Sequence, residues 1–292
     1  MIIFAFPPQE NLAKTLAKKM GYELGSLTFR HFPDGESYIK INSNVKNKKV
    51  ILLCGLEKAD EKIMALMFFT QTAKELGALE IGLVAPYLGY MRMDKRFNEG
   101  EAITSNIFAK FLSKEINYLI TIDPHLHRHK SLEEIYSITC QTLHAKDAIA
   151  VWIKENIANP LLIGPDEESE QWVKKIAEKS GAPFVILQKI RRGDKEVEIS
   201  IPQIAKYQNH TPVLIDDIIS TAKTMIETVK HLKNLKTKAP ICIAIHAVFS
   251  GDAFAELQKS GAEKIFSCNT IAHPSNAIDI APILIEAIKS YE

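Results

Sequence analysis

The residues with the clearest potential for chemistry follow a short apolar run at positions 213–215. Two adjacent carboxylates, Asp216 and Asp217, come directly after this run and can accept hydrogen bonds from sugar hydroxyls. A short loop then opens a helical pattern, and backbone amides at the start of a helix can bind phosphate. The loop also offers the hydroxyl groups of Ser220, Thr221 and Thr224. An acidic turn with a helix cap is the simpler reading, but adjacent carboxylates repel each other unless a ligand engages them.

Other polar residues follow further apolar runs in the same way, namely His125, Asp166, Lys189 and Arg191. In an open α/β sheet, ligands bind outside the carboxyl ends of the strands, so this pattern indicates anion and metal chemistry at those ends. Taken singly, each residue also has a structural explanation. Lys189 and Arg191 could form a solvated basic turn, and Asp166 could belong to the acidic first turn of a helix.

The elements that must position these residues alternate along the whole chain. Strands are predicted at 2–6, 50–53, 81–85, 118–122, 161–163, 184–187, 213–215, 241–248 and 264–267, with an exposed ribbon at 195–201. Helices are predicted at 11–20, 60–76, 104–115, 168–179, 224–235, 252–259 and 282–290. The strand runs are continuously apolar, which is typical of parallel strands covered on both faces. We therefore predict an α/β fold with two domains, 1–145 and 146–292.

Composition excludes several classes of protein. The 292 residues are 46% hydrophobic, which is ordinary for a globular protein. The 36 basic side chains nearly balance the 35 acidic ones, and this balance argues against a large basic surface that binds nucleic acid or an anionic membrane. The sequence contains neither GxxxxGK[ST] nor GxGxxG, so the P-loop and dinucleotide-binding motifs are absent. The four cysteines form no CxxC pair, and no signal peptide or membrane span is evident. These features predict a cytoplasmic protein.

Seven motifs, taken in order, resemble those of the ribose-phosphate pyrophosphokinase family, also called phosphoribosyl pyrophosphate synthetases. They are FPDGE at 32–36, PYLGYMRMD at 86–94, TIDPH at 121–125, GPD at 164–166, KIR at 189–191, VLIDDIISTAKT at 213–224 and FSG at 249–251. The resemblance covers nearly the full chain. It implies two phosphoribosyltransferase-type domains, each with a mostly parallel sheet flanked by helices.

The resemblance also implies a reaction and a role for each matching residue. The reaction is transfer of the β,γ-diphosphoryl group of ATP to O1 of ribose 5-phosphate, in nucleotide biosynthesis, by a Mg²⁺-dependent homo-oligomer. The implied ATP-binding residues are Asp34, Glu36, Arg92 and Asp94, the first two acting across a subunit boundary. Lys189 and Arg191 are the implied catalytic residues, and His125 and Asp166 the metal-site residues. Ribose 5-phosphate binding is implied for Arg191, Asp216, Asp217, Ser220, Thr221, Ala222, Lys223 and Thr224.

Alternatives remain for individual residues and for the whole chain. Arg92 and Asp94 could form a surface ion pair, and His127 and His129 are expected to face solvent rather than a metal. The chain could also be a catalytically silent subunit of the family. A phosphoribosyltransferase is a further alternative, although it leaves the motifs of the N-terminal half unexplained.

Several positions depart from the family pattern. Met93 stands in place of Gln, Pro124 in place of Leu, residues 167–169 in place of a Gly-rich turn, Ser220 in place of Asp, and Ala222-Lys223 in place of Gly-Gly. Glycine permits a positive φ, so Lys223 would forfeit conformational freedom in a loop that approaches phosphate. Lys223 could therefore weaken the site or turn its side chain to solvent. The alternative that we favour is an ammonium group that reaches over the 5-phosphate.

Overall fold

The computed structural model describes residues 1–126, 128–165, 169–192, 196–200, 204–235 and 237–292, with the backbone alone at 188–192, 196–200 and 205. The chain divides into two compact units. The first comprises Met1–His144 together with Ala281–Glu292, and the second comprises Ala145–Ile280.

The first unit contains a six-stranded parallel sheet. Its strands and hairpin are β1 (Ile2–Ala5), β2 (Glu23–Leu24), β3 (Leu27–His31), β4 (Ser37–Ile41), β5 (Lys49–Leu53), β6 (Glu80–Ala85), β7 (Tyr118–Ile122) and β8 (Thr139–Leu143). Its helices are α1 (Glu10–Met20), α2 (Ile63–Glu75), α3 (Thr104–Glu115) and, from the end of the chain, α8 (Ala281–Lys289). The sheet order is β2-β1-β5-β6-β7-β8, and β3 pairs with β4 in a separate antiparallel hairpin.

The second unit contains another six-stranded parallel sheet. Its strands are β9 (Pro160–Gly164), β10 (Phe184–Ile186), β11 (Gln188–Arg192), β12 (Glu196–Ser200), β13 (Thr211–Ile219), β14 (Ile241–Ala247), β15 (Lys264–Cys268) and β16 (Asn276–Ile278). Its helices are α4 (Lys146–Asn156), α5 (Glu170–Ser180), α6 (Lys223–Asn234) and α7 (Ala253–Ser260). The order is β10-β9-β13-β14-β15-β16, with β11 and β12 paired in an antiparallel ribbon.

Burial explains why these segments form parallel sheets. Every residue of β7 and of β14 is buried, as both faces of a strand must be when helices cover the sheet on either side. The amphipathic helices α1 and α5 end at Gly21 and Gly181, which adopt φ values of 70° and 72° and donate a capping hydrogen bond to the preceding turn. The predicted α/β class with two parallel sheets is confirmed.

Three features differ from the sequence-based expectations. The residues before α2 form a short 3-10 turn, Ala59–Glu61, so Asp60 does not cap a helix that begins at Ile63. The hairpin β3–β4, the edge strands β2, β8 and β16, and helix α4 were not predicted. Residues 281–292, which the predicted division places in the second domain, pack with the first unit, where Tyr291 stacks on Tyr118 with ring centroids 3.9 Å apart.

All four cysteines are free and buried. Burial raises the pKa of the Cys54, Cys140 and Cys242 thiols to about 12, so they remain protonated near neutral pH. None of the helices that the structure describes has the length and apolarity that crossing a membrane requires.

Candidate active site

The acidic motif of the second unit lies within the last residues of β13. The strand continues to Ile219, four residues beyond the predicted end at 215, and Asp216 pairs with Ala244 of β14 in the ladder. Both carboxylates are half-buried, and each accepts a hydrogen bond from the backbone amide of the next residue: Asp217 N to Asp216 Oδ1 at 3.0 Å, and Ile218 N to Asp217 Oδ1 at 2.7 Å. The two acids therefore stand at the carboxyl end of the central strand, as predicted.

The loop after β13 is held by the loop after β14. Ser250 N donates to Ser220 O at 2.9 Å, Phe249 N donates to Ile219 O at 2.9 Å, and the hydroxyl oxygens of Ser220 and Ser250 lie 3.0 Å apart. Two of the sequence motifs, 213–224 and 249–251, thus meet at one place. Phe249 adopts a φ of 35°, and its ring packs against Phe254, with centroids 5.1 Å apart.

Helix α6 begins directly after this loop. Its N-cap residue, Ala222, has a φ of 57° in the left-handed region and accepts the first helical hydrogen bond, from Ile226 N at 2.8 Å. The first amides of a helix lack acceptors within the helix and form the positive end of its dipole. The loop and the start of α6 therefore present donors for an anion near the two carboxylates.

Left-handed backbone is needed at Ala222, not at Lys223. We expected the loss of glycine freedom at Lys223, but this lysine is the first residue of α6 and has no positive φ. Lys223 and Thr221 are exposed, Thr224 and Ser220 are half-buried, and the Ala222 methyl group is buried. Lys223 therefore causes no backbone strain. The conformational strain that follows from the absence of Gly-Gly lies at Ala222.

Of three predicted site residues in the second unit, one lies outside the described residues and the other two are described by their backbone alone. Asp166, the predicted metal-site acid, is the undescribed residue, although β9 leads to it and ends at Gly164. Lys189 and Arg191 are backbone positions of β11, paired with Ile199 and Val197 of β12. The predicted ribbon at 195–201 corresponds to β12.

In the first unit, the exits of β6 and β7 carry most of the predicted ATP and metal residues. Arg92 is exposed, whereas Asp94 is buried and its Oδ1 lies 2.7 Å from Nη1 of Arg128. His125 is half-buried in the loop after β7. In the same loop, Asp123 adopts a φ of 37°. Its Oδ1 lies 2.6 Å from Nδ1 of His144.

The other two predicted ATP residues occupy the turn of the β3–β4 hairpin. Asp34 and Glu36 are exposed, and Glu36 N donates to Asp34 Oδ1 at 3.2 Å in a turn that places Gly35 at a φ of 93°. The Arg30 guanidinium lies over the rings of Phe32 and Tyr38, at 4.5 and 4.4 Å from their centroids, and stiffens the base of this turn. The hairpin thus presents two exposed acids to solvent.

Comparison with known proteins agrees with this architecture. Residues 1–115 match the family model described as the N-terminal domain of ribose phosphate pyrophosphokinase, and residues 131–281 match the phosphoribosyl transferase domain. A ribose-phosphate pyrophosphokinase of Saccharolobus solfataricus is 31% identical over 274 residues, covering 93% of each chain, and one of Methanobrevibacter smithii is 28% identical, covering 96% of this chain and 97% of the relative. The chain belongs to the ribose-phosphate pyrophosphokinase family.

A solved structure shares the fold along the full length. The phosphoribosylpyrophosphate synthetase from Mycobacterium smegmatis superposes with a TM-score of 0.85, covering 99% of this chain and 98% of that chain at 22% identity. Within the ribose-phosphate pyrophosphokinase family, this chain therefore keeps the fold at low sequence identity. The family resemblance inferred from the seven motifs is confirmed.

Sequence reasoning missed three residues that the structure places at these loops: Arg128, His144 and Ser250. Ser250 lies in the recognised 249–251 motif but received no role. Arg128 follows His125 by three positions, and its charge beside a predicted metal residue was a usable signal. His144 carries no comparable signal, because its contact with Asp123 arises only when β7 and β8 pair.

The left-handed Ala222 leads to a prediction about stability. Ala222→Gly is expected to change the free energy of unfolding by less than about 1 kcal/mol, because relief of left-handed strain offsets the lost buried methyl group. Ala222→Val is expected to lower it by about 2 kcal/mol or more, because a β-branched side chain fits this region poorly. Chemical denaturation of both variants measures the difference. Equal stability of the Val and Gly variants would contradict a left-handed Ala222.

Proposed function

We propose that the protein transfers the β,γ-diphosphoryl group of ATP to O1 of ribose 5-phosphate, giving phosphoribosyl pyrophosphate and AMP. The observation that carries the proposal is the end of β13, where two carboxylates adjoin the amides that open α6. A sugar phosphate needs both kinds of group: acceptors for its hydroxyls and donors for its phosphate. Relatives named ribose-phosphate pyrophosphokinase, which match along almost the whole chain, support the assignment of this reaction.

Ribose 5-phosphate is assigned to the second unit. The 5-phosphate would lie against the amides and hydroxyls of residues 220–224, and Asp216 and Asp217 would orient the ribose hydroxyls. The hydrogen bonds from 249–250 hold the loop before any ligand arrives, so little conformational entropy is lost on binding. Arg191 is proposed as a further contact to the sugar phosphate.

ATP is assigned to the first unit. Arg92, exposed after β6, would bind the phosphates. Asp34 and Glu36 would accept hydrogen bonds from the adenine of ATP bound to a neighbouring subunit, and their exposure at a hairpin turn leaves them available for this. The proposal therefore includes a homo-oligomer.

Mg²⁺ is the proposed metal, with His125 and Asp166 as the residues that would hold it. The described residues contain no cluster of three or more histidine, cysteine or acidic side chains suited to a metal. Mg²⁺ usually binds through one or two protein groups and fills its shell with water and substrate phosphates, so a sparse donor set fits it. When bound, the ion would neutralise charge on the ATP phosphates.

Catalysis is assigned to positioning and charge stabilisation, on which phosphoryl transfer mainly depends. Lys189 and Arg191 would stabilise negative charge at the attacked β-phosphate and on the departing AMP. No residue is assigned as a general base. The proposed setting is the cytoplasm, with no nucleic-acid or membrane partner.

One experiment separates this proposal from its alternatives. The protein is incubated with ATP, ribose 5-phosphate and Mg²⁺, and the nucleotides are resolved by chromatography. AMP formation that depends on the sugar phosphate is expected. ADP would indicate transfer of a single phosphoryl group. The absence of turnover would favour a catalytically silent subunit. A phosphoribosyltransferase would instead consume phosphoribosyl pyrophosphate when a nucleobase is supplied.

Lys223 provides a test of the sugar-phosphate assignment. A cation at the start of a helix is unfavourable unless an anion is nearby, and Lys223 is exposed where it could reach one. Lys223→Ala is expected to raise the KM for ribose 5-phosphate several-fold while the KM for ATP stays nearly constant, and added salt should reduce the difference.

Lys230 supplies the matched control for this test, because it is an exposed lysine two turns further along α6. Lys230→Ala should leave both KM values unchanged. A Lys223→Gly variant that binds ribose 5-phosphate more tightly than wild type would show that the lysine obstructs the site.

A further inference from the structure

The contact between Asp94 and Arg128 joins the two strand exits that carry the proposed ATP residues. Asp94 follows β6 and its side chain is only 2% exposed, while Arg128 follows β7. A buried carboxylate requires a charged or hydrogen-bonding partner, and Arg128 Nη1 provides one at 2.7 Å. The contact therefore fixes the position of the Arg128 guanidinium.

The Arg128 side chain remains partly open to solvent. The Arg128 side chain is 45% exposed, and its guanidinium carbon lies 5.6 Å from the centroid of the Phe97 ring. Arginine has five N–H donors arranged in a plane, and the contact with Asp94 occupies only one nitrogen. This leaves an immobilised, solvent-facing edge with the geometry that suits phosphate oxygens.

The residues near this ion pair indicate which phosphate-containing ligand Arg128 would bind. Arg92 lies two residues before Asp94 in one loop, and His125 lies three residues before Arg128 in the other. Both belong to the proposed site for ATP and its metal ion. Pairing with the buried Asp94 carboxylate is a structural role in itself, but it engages one nitrogen of Arg128 and leaves the exposed part of the side chain able to meet a ligand.

We propose that Arg128 binds the polyphosphate chain of ATP and that Asp94 is the residue that positions it. This inference rests on the proposed function. It changes the role suggested for Asp94 by sequence resemblance: the carboxylate acts through Arg128 and does not contact the nucleotide.

The test compares equilibrium binding of ATP and of adenosine, in the presence of Mg²⁺, to wild type and variants. Arg128→Ala is expected to weaken ATP binding about tenfold or more, as loss of a charge-assisted hydrogen bond usually does, and to leave adenosine binding unchanged. The ATP affinity of Arg128→Lys should fall between those of wild type and Arg128→Ala, because lysine keeps the charge but lacks the planar arrangement of donors. Lys130→Ala removes an equal, exposed charge two residues away and should change neither affinity.

A double-mutant cycle tests the role of Asp94. Asp94→Asn should weaken ATP binding in the wild-type background but add nothing in the Arg128→Ala background, because its effect passes through Arg128. Thermal unfolding of each variant checks that the fold persists. A further loss of ATP affinity in the double variant would overturn the positioning role and indicate direct contact by Asp94.

Other outcomes overturn the proposal as a whole. Unchanged ATP affinity in Arg128→Ala would remove Arg128 from the site, and an equal loss of adenosine affinity would reveal a general distortion of the loops. Since binding is measured without turnover, these outcomes are independent of AMP formation by the wild type. Failure of the wild type to form AMP, with ATP binding still dependent on Arg128, would contradict the proposed reaction and leave Arg128 as a nucleotide contact.

Discussion

Replacing Lys189 with alanine is expected to lower kcat by about a hundredfold or more, while the affinity for ATP changes by less than about threefold. Removal of one preorganised charge that acts mainly in the transition state has this effect, because the lost interaction contributes little to ground-state binding. The measurement is kcat from AMP formation together with ATP affinity from equilibrium binding.

The control for this variant is Lys206→Ala. Lys206 is an exposed lysine in the 3-10 turn Ile204–Tyr207 of the same unit, and its removal should leave both quantities near the wild-type values. Near-normal turnover in Lys189→Ala would exclude Lys189 from the mechanism. A parallel loss of ATP affinity would instead make it a binding residue.

Removal of the metal is expected to abolish activity, and His125→Ala is expected to raise the Mg²⁺ concentration for half-maximal activity by about tenfold or more. His125 lies at the β7 exit beside the proposed ATP site, so loss of its imidazole should weaken the hold on the ion. Activity would be titrated with Mg²⁺ after treatment with a chelator.

His129 supplies a close comparison for this titration. It lies in the same loop, but its Nδ1 is 3.1 Å from Glu134 Oε2, so the ring already has a carboxylate partner within the loop. His129→Ala should therefore show the wild-type Mg²⁺ dependence. If the two variants shift the titration equally, the distinction between these histidines is wrong and His125 has no special role.

The strand order explains why residues from distant parts of each unit reach one edge of a sheet. When β1 is matched with β9 and β5 with β13, the orders of the two sheets coincide. All the paired strands in each sheet are parallel, so their carboxyl ends lie along one edge. In the second unit this brings the loops after β13 and β14 into hydrogen-bonding contact.

Sequence alone predicted the architecture. Continuously apolar runs can be buried only between covering layers, which led to two parallel sheets. Polar residues at the ends of those runs then indicated the edge at which we propose that ligands bind. The edge strands β2 and β16 escaped prediction because they are only two and three residues long, and β8 because its threonines and Gln141 interrupt any apolar run. The β3–β4 hairpin escaped prediction because it is half exposed.

Tertiary structure decided the details that depend on contacts between distant residues. Nothing in the sequence shows whether Ala222 or Lys223 adopts the left-handed conformation, because the start of α6 depends on a loop held by Ser250. The amphipathic pattern of α8 predicts a helix but not its partners, which are α1 and β8 of the first unit. Likewise, Asp94 looks like an exposed loop acid until β6 and β7 pair and bring Arg128 to its buried carboxylate.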